Sequence, residues 1–144
     1  MSKTKGDIVE YALRAAGIAS SATMTQPEPA AVGDALTDLE MMMAQWLVGG
    51  IDIGYLPTDP PDPADESGLE LWAVEPVALK LSEKILIDNL RPIPGALAAR
   101  AYRGYELVCS QVAVIPSLAR RNDMPCGAGN GGRFYVEQAP EDQI

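Results

Sequence analysis

The sequence predicts an all-α protein: a small bundle of about four helices with a long acidic, proline-rich loop and an extended C-terminal arm. Three observations carry this prediction. Apolar residues recur at helical spacing in four segments, no clear strand pattern precedes residue 133, and residues 49–67 hold four prolines and four aspartates. The 144 residues suffice for one domain, which we place at residues 1–116, followed by the arm at 117–144.

The first helix is predicted over residues 5–16. Its apolar side chains follow the spacing i, i+1, i+4, i+5 and i+8, which places them on one helical face: Ile8, Val9, Ala12, Leu13 and Ala16. Thr4 is positioned to cap the amino end, and Gly17 is a typical residue at which a helix ends. Small and polar residues at 18–27 then form a connector.

The second helix is predicted over residues 29–48. Pro29 suits the first turn of a helix, where its missing N–H would have no partner in any case. Apolar residues continue at helical spacing from Ala31 to Leu47, and the pair Gly49-Gly50 ends the pattern. The long loop at 49–67 follows, and a loop of this length is either functional or loosely ordered.

Two further helices are predicted after the loop. Ser67 is a candidate cap for a helical pattern over 68–90, but Pro76 falls inside that pattern. Because proline cannot donate to the helical ladder and its ring crowds the preceding turn, we predict a short turn at 68–74 and a main helix at 76–90. The segment RPIPG at 91–95 breaks that helix, and the last helix is predicted over 95–114.

The charge is distributed unevenly along the chain. Residues 1–75 carry 13 acidic and 3 basic side chains, and residues 76–144 carry 7 acidic and 8 basic ones, for a net charge of −9. This balance argues against a DNA-binding protein, although two oppositely biased regions favour oriented docking onto a partner or a second copy. Without a signal-peptide pattern or an uncharged apolar stretch of membrane length, we expect neither secretion nor a membrane partner.

The sequence contains no histidine. This removes histidine general bases, Ser–His and Cys–His pairs, and histidine-ligated metals. The two cysteines, Cys109 and Cys126, are not spaced for a zinc site. We therefore expect no metal and no cofactor.

A glycine-rich stretch at 127–132 fits the pattern G-x-G-x-x-G. A dinucleotide-binding loop of this kind needs a strand before it and a helix after it, and neither the RRNDMPC segment before it nor the twelve residues after it provide them. The alternatives are a frayed terminus without function and an arm that becomes ordered on a partner. Phe134, the only phenylalanine in the chain, favours the second alternative.

An enzyme is the other class of protein that the sequence allows. Carboxylates are plentiful, and Glu66, Glu70 and Glu75 border the acidic loop, where they could flank a cleft in a paired-carboxylate hydrolase. The alternative function is a peptidoglycan-cleaving hydrolase that uses acidic residues near the 49–75 loop; the carboxylates themselves indicate only the hydrolase class and not the substrate. Solvated surface carboxylates are the simpler interpretation of the same residues, and the main expectation is a protein without enzymatic activity.

Three segments resemble the head-completion adaptor of short-tailed phages, a family also called the tail accessory factor, head-to-tail connector or packaged-DNA stabilisation protein. They read KTKGDIVEYALRAAGIASSATMT at 3–25, DALTDLEMMMAQWLVGGIDIGY at 34–55 and MPCGAGN at 124–130. The middle of the chain, 70–120, is similar only in helical character. The chain also ends earlier than members of this family are expected to end.

The resemblance implies a structural role in the virion. Copies of the protein, twelve in number, would form a ring beneath the portal protein after DNA packaging, extend the channel, retain the DNA and support the downstream tail proteins. Packaged double-stranded DNA would pass through the ring without sequence-specific binding. The protein would be made in the host bacterial cytoplasm and would be located at the head–tail junction.

The resemblance further implies that the C-terminal arm binds the portal. Matched to the family pattern, the portal contacts fall on Met124, Pro125, Gly127, Gly129 and Asn130. To these we add, from their chemistry as charged and aromatic anchors, Arg120, Arg121, Phe134 and Tyr135.

Overall fold

The computed structural model describes residues 3–19 and 27–114, and these residues form four helices. They are α1 (Lys5–Ala15), α2 (Pro29–Val48), α3 (Leu71–Asp88) and α4 (Gly95–Val112). Helix α3 is central, since it packs against each of the other three. Within the described residues the only β pairing is an isolated bridge between Thr4 and Glu66. The prediction of a small all-α bundle is confirmed. The division into a domain at 1–116 and an arm at 117–144 stays a prediction, because residues 115–144 lie outside the described part.

Local sequence signals account for the ends of α1 and α2. The Thr4 hydroxyl accepts a hydrogen bond from the Asp7 N–H, and the Asp7 carboxylate accepts one from the Thr4 N–H, which together form a capping box. Gly17 follows the end of α1 with a φ of +70°, a conformation that glycine adopts without strain. Helix α2 begins at Pro29 and ends at Val48, as the sequence predicts.

The third helix differs from the prediction, because it is one continuous helix with Pro76 inside it. Pro76 is the sixth residue of α3 and is buried against Gly104 of α4. A Cβ atom added to Gly104 would lie 3.1 Å from the Cα atom of Pro76. Proline therefore costs α3 one hydrogen bond, and the close packing of α3 and α4 at this point offsets that cost.

Ser67 does not cap α3, which begins after Glu70. The Ser67 hydroxyl donates to the Lys3 carbonyl over 2.6 Å and accepts from the Leu69 N–H over 3.3 Å, and the residue is fully buried. Its role is to hold the end of the long loop against the start of α1, so this prediction was wrong.

The long loop is ordered and attached along one side of the bundle. Its second half donates and accepts hydrogen bonds with the start of α1: the N–H groups of Lys5 and Gly6 bond the carbonyls of Asp65 and Pro63, each over 2.9 Å. Its first half pairs with its own end, because the Leu56 N–H donates to the Ser67 carbonyl. The loop is thus part of the folded body.

A buried lysine joins the loop to two helices. The side chain of Lys5 is fully buried, and its ammonium group forms an ion pair with Glu40 of α2 and donates to the Thr58 hydroxyl over 2.7 Å. The Tyr55 hydroxyl donates to the same Glu40 oxygen over 3.0 Å, and the ammonium group lies 4.9 Å from the centre of the Tyr55 ring. We refer to Lys5, Glu40, Tyr55 and Thr58 as the Lys5 network.

The main apolar core lies between α1, α2 and α3, and a second cluster lies between α3 and α4. The main core includes Ile8, Leu13 and Leu39, from the faces that the helical periodicity predicted, and Val77 and Leu81 of α3, which were not predicted. The second cluster comprises Leu79, Leu86, Leu97 and Ala101. No helix of the described residues is long and apolar enough to cross a membrane.

Replacing Gly104 by alanine should destabilise the protein. The new methyl group would press on the backbone of Pro76, and overpacking of this kind costs about 1–3 kcal/mol. Gly33→Ala is the matched control, because Gly33 also lies inside a helix but has open space where a Cβ would be. We expect Gly33→Ala to stabilise by roughly 0.5–1 kcal/mol. Urea unfolding checks both values, and equal stabilisation by the two variants would contradict the close helix contact.

Tyr55 should make the protein less stable at high pH. Burial, followed by the negative charge and hydrogen bond of Glu40, raises the pKa of Tyr55 well above its ordinary value of 10.0. Above pH 10 the unfolded chain loses the tyrosine proton while the folded chain keeps it. The free energy of unfolding is therefore fully retained below pH 10 and falls as pH rises beyond it.

The measurement is urea unfolding of the wild type and of Tyr55→Phe at pH 8 and at pH 11. The variant should lose about 1 kcal/mol at pH 8, from the hydrogen bond to Glu40, and should fall less steeply between the two pH values. Tyr102→Phe is the control. The pKa of Tyr102 is also raised, chiefly by its hydrogen bond to Glu106, but the residue is exposed to solvent. Parallel losses in wild type and Tyr55→Phe would refute the assignment.

Candidate functional site

The structure separates the three carboxylates that the sequence singled out. Glu66 lies in the β-bridge opposite Thr4, beside the start of α1. Glu70 and Glu75 lie just before and within the first turns of α3. The side chains of Glu70 and Glu75 are both exposed. Glu70 accepts a hydrogen bond from Trp72, and Glu75 lines the same groove as Trp72.

A groove runs between the first half of α3 and the middle of α4, and we call it the α3–α4 groove. Its volume is about 270 Å³. The side chains and backbone that line it are Trp72, Glu75, Pro76, Leu79, Arg100, Arg103, Gly104 and Leu107. The floor is apolar and the rim is charged, a combination typical of sites that bind polar organic ligands.

Trp72 supplies the aromatic surface of the groove. Its side chain is 39% exposed, and its indole N–H donates to the Glu70 carboxylate over 2.8 Å. This hydrogen bond fixes the orientation of the ring and holds the Glu70 carboxylate at its edge. The ring therefore offers a flat apolar surface with a carboxylate beside it.

Glu75 and Arg100 face each other across the groove. The Arg100 guanidinium donates to the Glu75 carboxylate over 2.5 Å, and each side chain is more than half exposed. The hydrogen bond to Glu75, followed by one with Tyr11, raises the pKa of Arg100. Arg103 lies one turn further along α4 and lines the same groove. The rim thus carries both a carboxylate and guanidinium groups.

A functional role for Trp72, Arg100 and Arg103 was not predicted from the sequence. A partial signal was present, since Trp72 and Glu75, and likewise Arg100 and Arg103, are three residues apart and so share a helical face. What the spacing could not show is that the two faces meet. The arrangement suits a ligand with a flat apolar face and several hydroxyl or carboxylate groups, such as a sugar ring.

A second cleft, of about 280 Å³, is rich in aspartate. Asp34, Asp38 and Asp88 line it, between α2 and the end of α3. Lys84 forms ion pairs with both Asp38 and Asp88, so a positive ligand would compete with a lysine that is already in place. No aromatic side chain lines this acidic cleft. We assign its charges to the attachment of α2 to α3.

In the described part of the chain, no three His, Cys, Asp or Glu side chains are grouped so that they could hold a metal ion. The residues predicted to contact a portal, together with the glycine-rich stretch, all lie beyond residue 114 and so outside the described residues. The assignment of those residues stays a prediction.

Two comparisons with known proteins bear on function. A family model described as the P22 tail accessory factor matches residues 1–139. A protein named peptidoglycan hydrolase gp27, from Acyrthosiphon pisum secondary endosymbiont phage 1, is 36% identical over 145 aligned positions, which cover 94% of this chain and 90% of that protein. The first finding confirms the family that the three sequence segments indicated.

The second finding corrects the functional prediction. From the sequence we expected a structural head-to-tail connector without enzymatic activity. A relative that is similar along nearly the whole chain carries the name of an enzyme. This contradicts both expectations, and it favours the alternative, a peptidoglycan-cleaving hydrolase.

Proposed function

The chain belongs to the P22 tail accessory factor family of phage proteins, and from this premise we propose that it is a peptidoglycan hydrolase. The observation that carries the proposal is the similarity to peptidoglycan hydrolase gp27, which extends over almost the entire chain. The aligned positions cover 94% of this chain and 90% of that protein, so they include the four helices described above.

The α3–α4 groove is the site that fits this activity. Peptidoglycan consists of sugar strands that bear peptides with free carboxylates. Trp72 offers a face for a sugar ring, Arg100 and Arg103 can bind carboxylates, and Glu70 and Glu75 can transfer protons. Four of these side chains lie on α3 and α4, which a buried contact, Pro76 on Gly104, holds together, and Glu70 directly precedes α3. The site is thus mounted on rigid elements.

We place the protein in the virion, at the tail, because a tail accessory factor is by description a tail component. There the enzyme would meet the cell wall at the start of infection. The portal protein, further copies of this chain in a ring, and downstream tail proteins stay its predicted partners. Mass spectrometry of purified phage particles tests the location, and a chain absent from them would contradict it.

Replacing Trp72 by alanine should weaken binding of soluble peptidoglycan fragments about tenfold, which corresponds to ~1.4 kcal/mol. The reason is the loss of the largest apolar surface in the groove. Leu71→Ala is the control, since Leu71 is the neighbouring residue, is 75% exposed and does not line the groove. Isothermal titration calorimetry measures both affinities, and unchanged binding by Trp72→Ala would place the ligand elsewhere.

Replacing Glu75 by glutamine should lower the rate of dye release from labelled cell-wall sacculi by about 100-fold or more, the usual contribution of a general acid or base. Asp88→Asn is the matched control, because it removes an exposed helical carboxylate that also neighbours a cation, Lys84, but lies in the other cleft. Equal activity of Glu75→Gln and Asp88→Asn would exclude the α3–α4 groove. A wild-type protein with no dye release would refute the hydrolase.

A further inference from the structure

We infer that the bond cleaved is a glycosidic bond of the sugar strand rather than an amide bond of the peptides, and that Glu70 and Glu75 are the carboxyl groups that cleave it. This inference rests on the proposed function, which leaves the bond open. Peptidoglycan contains both kinds of bond, and enzymes that cleave them need different catalytic groups. The catalytic side chains that this protein possesses favour the glycosidic bond.

Amide hydrolysis commonly relies on a serine or cysteine activated by histidine, or on a zinc ion held in part by histidine. The whole sequence has no histidine. A serine activated by lysine would need a hydroxyl directed at an ammonium group. Ser67, Ser82 and Ser110, in the described residues, instead donate to the main-chain carbonyls of Lys3, Leu79 and Leu107.

A pair of carboxyl groups that share one proton can also cleave amides, but such groups must contact each other. The side-chain hydrogen bonds of Glu70 and Glu75 are made to Trp72 and Arg100 instead. The carboxylates of the α3–α4 groove are thus not arranged as a proton-sharing pair.

Glycosidic bonds need only two carboxyl groups on either side of the scissile bond. Trp72 is close to both carboxyl groups. Its indole N–H donates a hydrogen bond to Glu70, and its side chain lines the groove together with Glu75. A sugar ring stacked on Trp72 would therefore have one carboxyl at the edge of the ring and the other on the groove wall.

The two carboxyl groups have different partners. Glu75 accepts a hydrogen bond from the Arg100 guanidinium, and Glu70 accepts one from the indole N–H of Trp72. The second experiment below assigns the proton donor and the base.

The step balances as a simple hydrolysis. One of the two carboxyl groups gives its proton to the bridging oxygen while the bond from that oxygen to the anomeric carbon breaks. The oxygen of one water molecule bonds to the anomeric carbon, and the other carboxyl group, as a carboxylate, takes a proton from that water. Solvent then returns one proton from the second group to the first. The products are two shorter glycan strands, one with a new reducing end.

Arg103 adds a preference among sugars. It lines the groove one helical turn beyond Arg100, and a guanidinium group binds carboxylates through two parallel hydrogen bonds. In peptidoglycan the sugar that carries the lactyl-linked peptide brings carboxylates, whereas chitin, built on the same backbone, brings none. We expect Arg103→Gln to reduce activity on peptidoglycan by a larger factor than activity on chitin oligosaccharides, and equal losses on the two substrates would contradict this preference.

The first experiment identifies the products of the full-length protein acting on purified sacculi in ¹⁸O-labelled water. New reducing ends that carry ¹⁸O, without new amino groups, are the expected result. New amino groups without reducing ends would overturn the inference and leave the hydrolase standing, and anhydro sugar ends would overturn the role of water. No soluble product of any kind would overturn the hydrolase itself.

The second experiment tests the two carboxyl groups. Glu70→Gln keeps an acceptor for the Trp72 indole, so it should leave the ring in place. Glu70→Gln and Glu75→Gln should each lose about 100-fold on sacculi. A nitrophenyl glycoside of a chitin oligosaccharide has a leaving group that needs no proton, so on this substrate the variant without the proton donor should lose less than tenfold and the other about 100-fold. Equal losses for the two variants on the nitrophenyl substrate would refute a division into acid and base.

Discussion

The buried ammonium group of Lys5 is the contact on which the arrangement of the loop and helices depends. A charge without access to water is costly unless ion pairs and hydrogen bonds compensate it. Lys5 meets this need with Glu40 from α2 and with Thr58 from the loop. Removing any one partner would leave the others buried and incompletely paired. The network therefore specifies one position of α1 relative to α2 and the loop, instead of a range of positions.

The start of α3, and with it the groove, follows from this arrangement. The loop returns from Thr58 to the start of α1, where Ser67 is buried against Lys3. Gly68 then turns the chain with a φ of +74°, so close to Gly54 that an added Cβ would lie 2.5 Å from the Gly54 carbonyl oxygen. Only glycine fits this turn. Because Glu70 and Trp72 follow within four residues of it, the loop sets where the aromatic face and its carboxylate lie.

The features that could be predicted from the sequence are those that depend on near neighbours. The capping box at Thr4, the start of α2 at Pro29 and the core face of α1 follow from spacing alone. The continuity of α3 through Pro76 could not be predicted, because it depends on the packing of Gly104 from another helix. For the same reason the sequence indicated Glu70 and Glu75, which lie near the acidic loop, but not the groove. The groove also includes Arg100, which is 25 positions from its partner Glu75.

Two kinds of ion pair differ in what they do for the fold. Exposed ion pairs such as Glu75 with Arg100 contribute little to stability, because water screens them. The half-buried pair of Asp38 and Lys84, by contrast, joins α2 to α3. The charged rim of the α3–α4 groove is thus nearly irrelevant to folding, so its charges are available for a ligand. The proposed activity therefore rests on Trp72 and the charged rim, whereas Pro76 and Gly104, which also line the groove, hold the two helices together.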